Sequence, residues 1–288
     1  MENVLRSTRI TLEMIKWEHS IFALPFALTA ALLAAHGWPP LRVLLLIILC
    51  MVTARSAAMA FNRLVDANLD AANPRTAGRA LPAGQLSKSF VLAFTIIASC
   101  IFIAAAAMLN RLTLELAPAA LAVVLLYSFM KRITRWSHLV LGLALGIAPA
   151  AAWIAVRGTL SPRILLLTAI VILWVGGFDI LYACQDFDHD RQDGLNSIPA
   201  ALGITNAFRL ARIMHLGMIV LLFTLVHIFG LGWIAFAGMC LVAMLLAYEH
   251  AIISPKDLTR MNAAFFTLNG IISVVFFLFI AADIFYRR

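Results

Sequence analysis

The sequence predicts an all-α polytopic membrane protein. It reads as one domain over residues 1–288, with about nine transmembrane helices and two cytoplasmic acidic connections capping a central cavity. Three observations carry that reading. Hydrophobic residues make up 63% of the 288 and charged residues 12%, roughly half the charge of a soluble domain. Apolar runs of membrane-spanning length follow one another along the whole chain. Lys and Arg alternate between crowded and sparse segments as those runs are counted off, the asymmetry that sets topology in a bilayer.

The runs lie at roughly 20–37, 42–61, 89–109, 112–130, 137–156, 163–183, 208–229, 231–248 and 262–285. Arg6, Arg9, Glu13 and Lys16 precede the first, with no small-residue cleavage site behind a short apolar stretch, so no cleavable signal peptide is expected. Pro118 and Pro149 are expected to kink the fourth and fifth runs. Two connections are long, about 62–88 and about 184–207, and each carries breakers: Pro74 and the stretch from Gly78 to Pro82 in one, Gly194 and Pro199 in the other. With the N-terminus inside, cytoplasmic segments hold 15 of the Lys and Arg residues and the opposite segments six, while Arg55 falls within the second run. That bias puts the N-terminus and both long connections in the cytoplasm and the C-terminus outside. The net charge of +8 is accordingly a topology signal and an attraction for anionic headgroups; nothing calls for nucleic acid. Cys50, Cys100, Cys184 and Cys240 stand alone and predict neither a disulfide framework nor a zinc site.

Seven of the 14 acidic residues crowd into two short stretches. Asn62, Asp66 and Asp70 recur at four-residue steps and would share one helix face; Asp186 and Asp190 do likewise, with Asp179 upstream and Asp193 downstream. Asp66 to Asp186 and Asp70 to Asp190 are both 120 residues. Each connection also closes on a similar phrase, Leu81-Pro82-Ala83-Gly84 and Ile198-Pro199-Ala200-Ala201-Leu202-Gly203. Two related units of this kind commonly hold a site at their interface. A central position in lipid costs about 2.5–3.5 kcal/mol per Asp, so these carboxylates must line a polar cavity near the cytoplasmic face. Hard oxygen ligands suit Mg²⁺, which takes a few carboxylates and completes its shell with water and substrate phosphate. Arg55, Arg75, Arg79 and Lys131 nearby point to phosphate. Without metal and substrate the two acidic faces are expected to repel. Arg63, Arg132, Asp188 and Arg191 are expected as solvated loop charges, and His189 as a loop residue. His138, His215, His227 and His250 are scattered singly along the sequence and are expected as satisfied structural histidines.

Asn62-x-x-x-Asp66-x-x-x-Asp70, followed by Asn73-Pro74-Arg75-Thr76-Ala77-Gly78-Arg79-Ala80-Leu81-Pro82, resembles the first signature of the UbiA family of intramembrane prenyltransferases. Phe178-Asp179-Ile180-Leu181-Tyr182-Ala183, then Asp186-x-x-x-Asp190-x-x-x-Gly194-x-x-Ser197, resembles the second. Tyr127-Ser128-Phe129-Met130-Lys131-Arg132 is similar to the family's tyrosine-and-lysine connection. The likeness covers nearly all of the chain and implies a membrane enzyme that moves an isoprenoid chain from its diphosphate to an acceptor. It implies Mg²⁺ on Asp66, Asp70, Asp186 and Asp190, and diphosphate on Arg75, Arg79 and Lys131. Asn62, Arg55 and Ser197 match pocket positions, and Asp179 matches an aspartate that orients or deprotonates the acceptor. Tyr127, Tyr182, Phe178 and Trp174 are the aromatic candidates for facing an allylic cation, with packing or an interface belt as the alternative for Trp174 and Tyr127.

Two positions depart from the pattern. Lys16-Trp17-Glu18-His19-Ser20-Ile21 stands where quinone-pathway members read Arg-x-x-Lys-Pro-Ile, and Ala80 where they carry proline. Lys16 keeps the charge and could meet an acceptor carboxylate. The expected substrates are a polyprenyl diphosphate and a small aromatic acid, first of all 4-hydroxybenzoate on a ubiquinone-type route. The alternative within the family is a hydroxynaphthoate of menaquinone biosynthesis. From another class the alternative is a cation-coupled membrane transporter, for which midplane carboxylates are normal; carboxylates at span ends with paired arginines fit diphosphate better. Prenyl chain length and oligomeric state are left open.

Overall fold

The computed structural model describes residues 2–15 and 23–287, and every regular element among them is helical. In order they are α1 (Glu2–Ile15), α2 (Leu24–Ala35), α3 (Leu41–Val65), α4 (Ala67–Ala72), α5 (Lys88–Ala107), α6 (Arg111–Leu126), α7 (Met130–Ile133), α8 (Ser137–Arg157), α9 (Leu165–Ala183), α10 (Phe187–Gln192), α11 (Ile198–Leu202), α12 (Ile204–Ile228), α13 (Trp233–Ile252) and α14 (Asn269–Tyr286). Among the described residues, eight helical stretches are long and apolar enough to cross a membrane, and they match the second to ninth expected runs. The first expected run is represented by α2, whose 12 residues rise only about 18 Å against a hydrocarbon core of about 30 Å. Residues 20–22 of that run lie outside the described residues.

Local chemistry sets several boundaries. Ser87 accepts a hydrogen bond from the Phe90 amide to start α5, and Asn110 accepts one from the Thr113 amide to start α6, each satisfying a backbone donor that the first turn leaves open. Pro118 and Pro149 lie inside α6 and α8. Gly158 ends α8 at φ 69°, a left-handed conformation that costs glycine nothing.

The best-enclosed span is the one built on α9, of which 61% is buried; the span beginning at α6 is 11% buried and stands at the periphery. Helix α9 packs between α8 and α12. The contact with α8 depends on Gly142 and Gly146: a Cβ on Gly142 would sit 2.6 Å from the Ile172 carbonyl oxygen. Small residues four apart let two backbones approach where lipid supplies no hydrophobic drive. Helix α2 lays Phe26 between Trp174 and Phe276, with ring centroids 4.9 and 4.7 Å away. Leu45, Ile97, Ile213, Leu216 and Val220 point outward, as a lipid-facing surface requires.

Candidate active site

The two acidic connections fold alike. Helix α3 breaks at Asp66 (φ −91°, ψ 5°) and continues into the six residues of α4. Beyond α9, a single 3-10 turn over Cys184–Asp186 leads to Asp186 (φ −100°, ψ 11°) and then to the six residues of α10. Short helices at 67–72 and 187–192 keep the 120-residue offset, so the repeat seen in sequence is a repeat in backbone. Asp66 and Asp186 occupy the sparsely populated bridge region. The face expected for Asn62, Asp66 and Asp70 is kept across a break in the helix at its middle aspartate. The Asp70 amide still reaches the Asp66 carbonyl at 2.7 Å, which keeps the two side chains on neighbouring turns.

Tertiary contacts bring the connections together. The loop after α4 crosses to the second cluster, where Arg75 makes a fork on Asp186: Nε donates to Oδ1 at 2.8 Å and Nη2 to Oδ2 at 2.6 Å. Asn73 adds a bond to Asp186 Oδ1 at 3.4 Å. Arg79 donates to Asp70 Oδ1 at 2.6 Å. Arg132 donates to Asp66 Oδ1 at 3.0 Å and to the Val65 carbonyl at 2.8 Å, while Asn62 donates to Asp66 Oδ2 at 2.9 Å. The expected repulsion between the acidic faces is thus relieved within the protein, because arginines from the first acidic connection and from α7 sit among the carboxylates. Burial disfavours the charge on Arg75, but the hydrogen bond and charge of Asp186 outweigh it and hold the guanidinium above its ordinary range. Burial pushes the Asp66 carboxyl up, against the opposing bond and charge of Arg132. Among the described residues, Oδ2 of Asp70 and Oδ2 of Asp190 have no hydrogen-bond partner, but Asp70 has Arg63 at 3.9 Å and Arg79 on its other oxygen, whereas Asp190 is 1% exposed with no arginine on it.

Below this cap opens a cavity of about 670 Å³. Its polar end is lined by Asn62, Asp66, Asp70, Arg75, Arg79, Tyr127, Lys131, Asp179, Tyr182, Asp186 and Asp190, with Arg55 a little deeper. Its apolar part follows α3, α6 and α8 past Ala120, Ala148 and Ala152 to Leu109, Thr113 and Leu160 at the opposite ends of those helices. Runs of alanine on α6 and α8 leave the space; larger side chains there would fill it. Aromatic rings cluster on the cavity wall. Tyr182 and Phe265 are 4.1 Å apart and Phe178 and Phe265 5.1 Å between centroids, and the Arg75 guanidinium lies 5.6 Å over Tyr182.

Two sequence expectations fail to reach the cavity and one cannot be placed. Ser197, expected in the substrate pocket, is wholly buried away from the wall, and its Oγ accepts the Ala200 amide as the N-cap of α11. A Ser followed by Ile-Pro at a helix start serves the backbone first. Trp174 is a packing residue, fully buried with Nε1 donating to Asn269 Oδ1 at 2.8 Å. Lys16, with the His19-Ser20 departure, lies outside the described residues.

Other residues gain a place that sequence reasoning withheld. Arg63 is buried 3.9 Å from Asp70, not solvated; the seven-residue separation, two helical turns, was the available signal. Arg132 is likewise corrected from loop charge to Asp66 partner, whereas Asp188 and Arg191 are exposed as expected. His189 faces the cavity. His215 and His250 pair at 2.9 Å, as satisfied structural histidines do, while His138 bonds Asp179 at 2.6 Å, a cavity residue. Phe265 and Phe266 come from a π-helical turn, Ala263–Leu268, a distortion frequent at functional sites and invisible in composition.

Residues 23–279 match the UbiA prenyltransferase family. The chain is 35% identical over 243 residues to the 4-hydroxybenzoate octaprenyltransferase of Vibrio cholerae, covering 84% of this chain and 85% of that one. It is 31% identical over 250 residues to the enzyme of the same name from Aliivibrio fischeri, covering 86% and 87%. Its fold superposes on the apo structure of a UbiA homolog from Aeropyrum pernix with a TM-score of 0.85 at 36% identity, over 92% of this chain and 98% of that one. A UbiA homolog from Archaeoglobus fulgidus, solved with DMAPP and Mg²⁺, shares the fold at a TM-score of 0.73 and 18% identity, over 95% and 98%.

Proposed function

Since this chain belongs to the UbiA prenyltransferase family, we propose that it transfers a polyprenyl chain from its diphosphate to the ring of 4-hydroxybenzoate, with Mg²⁺, in ubiquinone-type quinone biosynthesis at a bacterial inner membrane. The observation that carries the proposal is the meeting of two acidic segments and their arginines at the mouth of an apolar cavity that runs the depth of the spans. That geometry suits a molecule with a charged head and a long hydrocarbon tail. A cation-coupled transporter would use the carboxylates but leaves the deep apolar extension without a purpose. The relatives named for 4-hydroxybenzoate support the acceptor.

The donor types suit Mg²⁺, while among the described residues no three of them already converge as a formed metal site. Asp66, Asp70, Asp186 and Asp190 offer hard oxygens at one end of one cavity, and the orphaned Asp190 Oδ2 is a buried acceptor that needs a positive partner. When bound, Mg²⁺ supplies Lewis-acid stabilisation of the departing diphosphate. Arg75, Arg79 and Lys131 stand where they can bond the same oxygens as charge develops on them. The rings of Phe178, Tyr182 and Phe265 on the cavity wall offer π-faces that stabilise an allylic cation and keep water from it. Asp179, on α9 about two turns before Asp186 and sharing the cavity wall, accepts the phenol's hydrogen bond and turns a ring carbon toward the cation.

Mass spectrometry of products tests the acceptor. Membranes containing the chain, given a polyprenyl diphosphate with equal 4-hydroxybenzoate and 1,4-dihydroxy-2-naphthoate, are expected to yield prenylated benzoate in large excess. Prenylated naphthoate as the main product would move the chain to the menaquinone route. Orientation is tested separately. With the four native cysteines replaced, Lys88→Cys and Asn206→Cys, both at exposed positions, are expected to resist an impermeant thiol reagent in intact cells and to react once the cells are opened. Ready labelling in intact cells would invert the topology.

A further inference from the structure

The geometry points to His138 as the positioning residue for Asp179, a role in acceptor alignment that rests on the transfer reaction proposed above. His138, the second residue of α8, is fully buried behind the cavity wall, and its Nδ1 lies 2.6 Å from Asp179 Oδ2. On the far side of the ring, the backbone amide of Ile198 donates to His138 Nε2 at 3.3 Å. An amide N–H only donates, so Nε2 must present its lone pair there. The ring proton is therefore on Nδ1 and is given to Asp179. The tautomer is fixed by the fold, through the first residue of α11, which begins right after the second acidic segment.

Three consequences follow from that one ring. Asp179 Oδ2 is occupied, so Oδ1 is the oxygen left for a ligand in the cavity, whose wall Asp179 shares. The rotation of the carboxylate about its last bond is restrained, and with it the direction of any phenol bonded to it. The Asp179 carboxylate is also tied to the backbone that closes the acidic cap, since α11 follows α10 by one short turn. A proton relay is not built here: His138 Nε2 ends on an amide that can pass no proton onward. The ring orients; it does not carry.

The test is a double-mutant cycle on the purified full-length protein, after the wild type has been shown to prenylate one of the two acids. His138→Leu keeps bulk and removes both bonds. It is expected to lower kcat/KM for the acceptor by about 100-fold with the dissociation constant for a non-hydrolysable prenyl diphosphate analogue unchanged. His138→Asn, which can place an amide N–H near the Nδ1 position, is expected to recover about tenfold of that loss. His138→Leu added to Asp179→Asn is expected to be no slower than Asp179→Asn alone. Normal acceptor kinetics in His138→Leu, losses that multiply in the double variant, or a matching loss of diphosphate affinity would each overturn the assignment, the last by showing a merely structural ring. A wild type that transfers to neither acid would instead overturn the reading on which this one rests, and this one with it.

Discussion

Asp190→Ala is expected to cut turnover by at least about 10³-fold and to leave the protein folded in the membrane. The size follows from the charge involved: several kcal/mol of transition-state stabilisation, at about 1.4 kcal/mol per decade. The folding half follows from the structure. Asp190 is 1% exposed and, among the described residues, its Oδ2 has no hydrogen-bond partner, so truncation leaves none of their cations without a partner. Asp186→Ala is the useful contrast, because it deprives Arg75 of a two-bond partner and should cost both activity and stability. Parallel measurement of turnover and thermal unfolding in detergent separates the two variants. In the unmodified protein, EDTA should abolish transfer and excess Mg²⁺ restore it. Near-normal turnover of Asp190→Ala, or full turnover in chelator, would remove the metal from the proposed mechanism.

Asp179→Asn should separate the two half-reactions. The substitution keeps shape, loses the charge that accepts a phenol's hydrogen bond, and touches none of the arginine-held carboxylates. Product formation is expected to fall about 100-fold while affinity for prenyl diphosphate stays within a factor of about two. Binding of a diphosphate analogue and product yield, measured on one preparation, decide it. Equal loss of both would mean that Asp179 is a structural partner of His138 and nothing more, which would end its assignment to the acceptor.

The arginine–aspartate pairs bear on how both experiments are read. Arg75, Arg79 and Arg132 each hold an aspartate, so a variant lacking one of them frees a carboxylate, and in the proposed mechanism Arg75 or Arg79 would lose a diphosphate contact as well. Loss of activity in Arg75→Ala therefore cannot be assigned to diphosphate alone, whereas Asp190 and Asp179 have no arginine partner among the described residues and give cleaner answers.

The spans were legible in the sequence because each is a local property. An apolar stretch of sufficient length must be a helix in lipid, where no other backbone arrangement satisfies its own hydrogen bonds. The paired aspartates were legible for a related reason: four-residue steps put them on one face, and a carboxylate near a bilayer needs a reason to be there. The 120-residue offset proved to be a repeat of backbone as well, with α4 and α10 in register. What stayed hidden depends on partners far along the chain. His138 meets Asp179 across 41 residues and Arg75 meets Asp186 across 111; neither separation carries a period. Ser197 has a motif position, yet a helix start claimed its hydroxyl. Phe265 and Phe266 gained the cavity through a π turn that no propensity marks. The chain's own chemistry determined which residues must be polar in lipid and at which end they gather. Only the packing of α8, α9 and the two capping loops decided which of them touch, because distance in space between residues on different helices is set by side-chain volume and small-residue contacts such as Gly142 against Ile172, and these are properties of pairs.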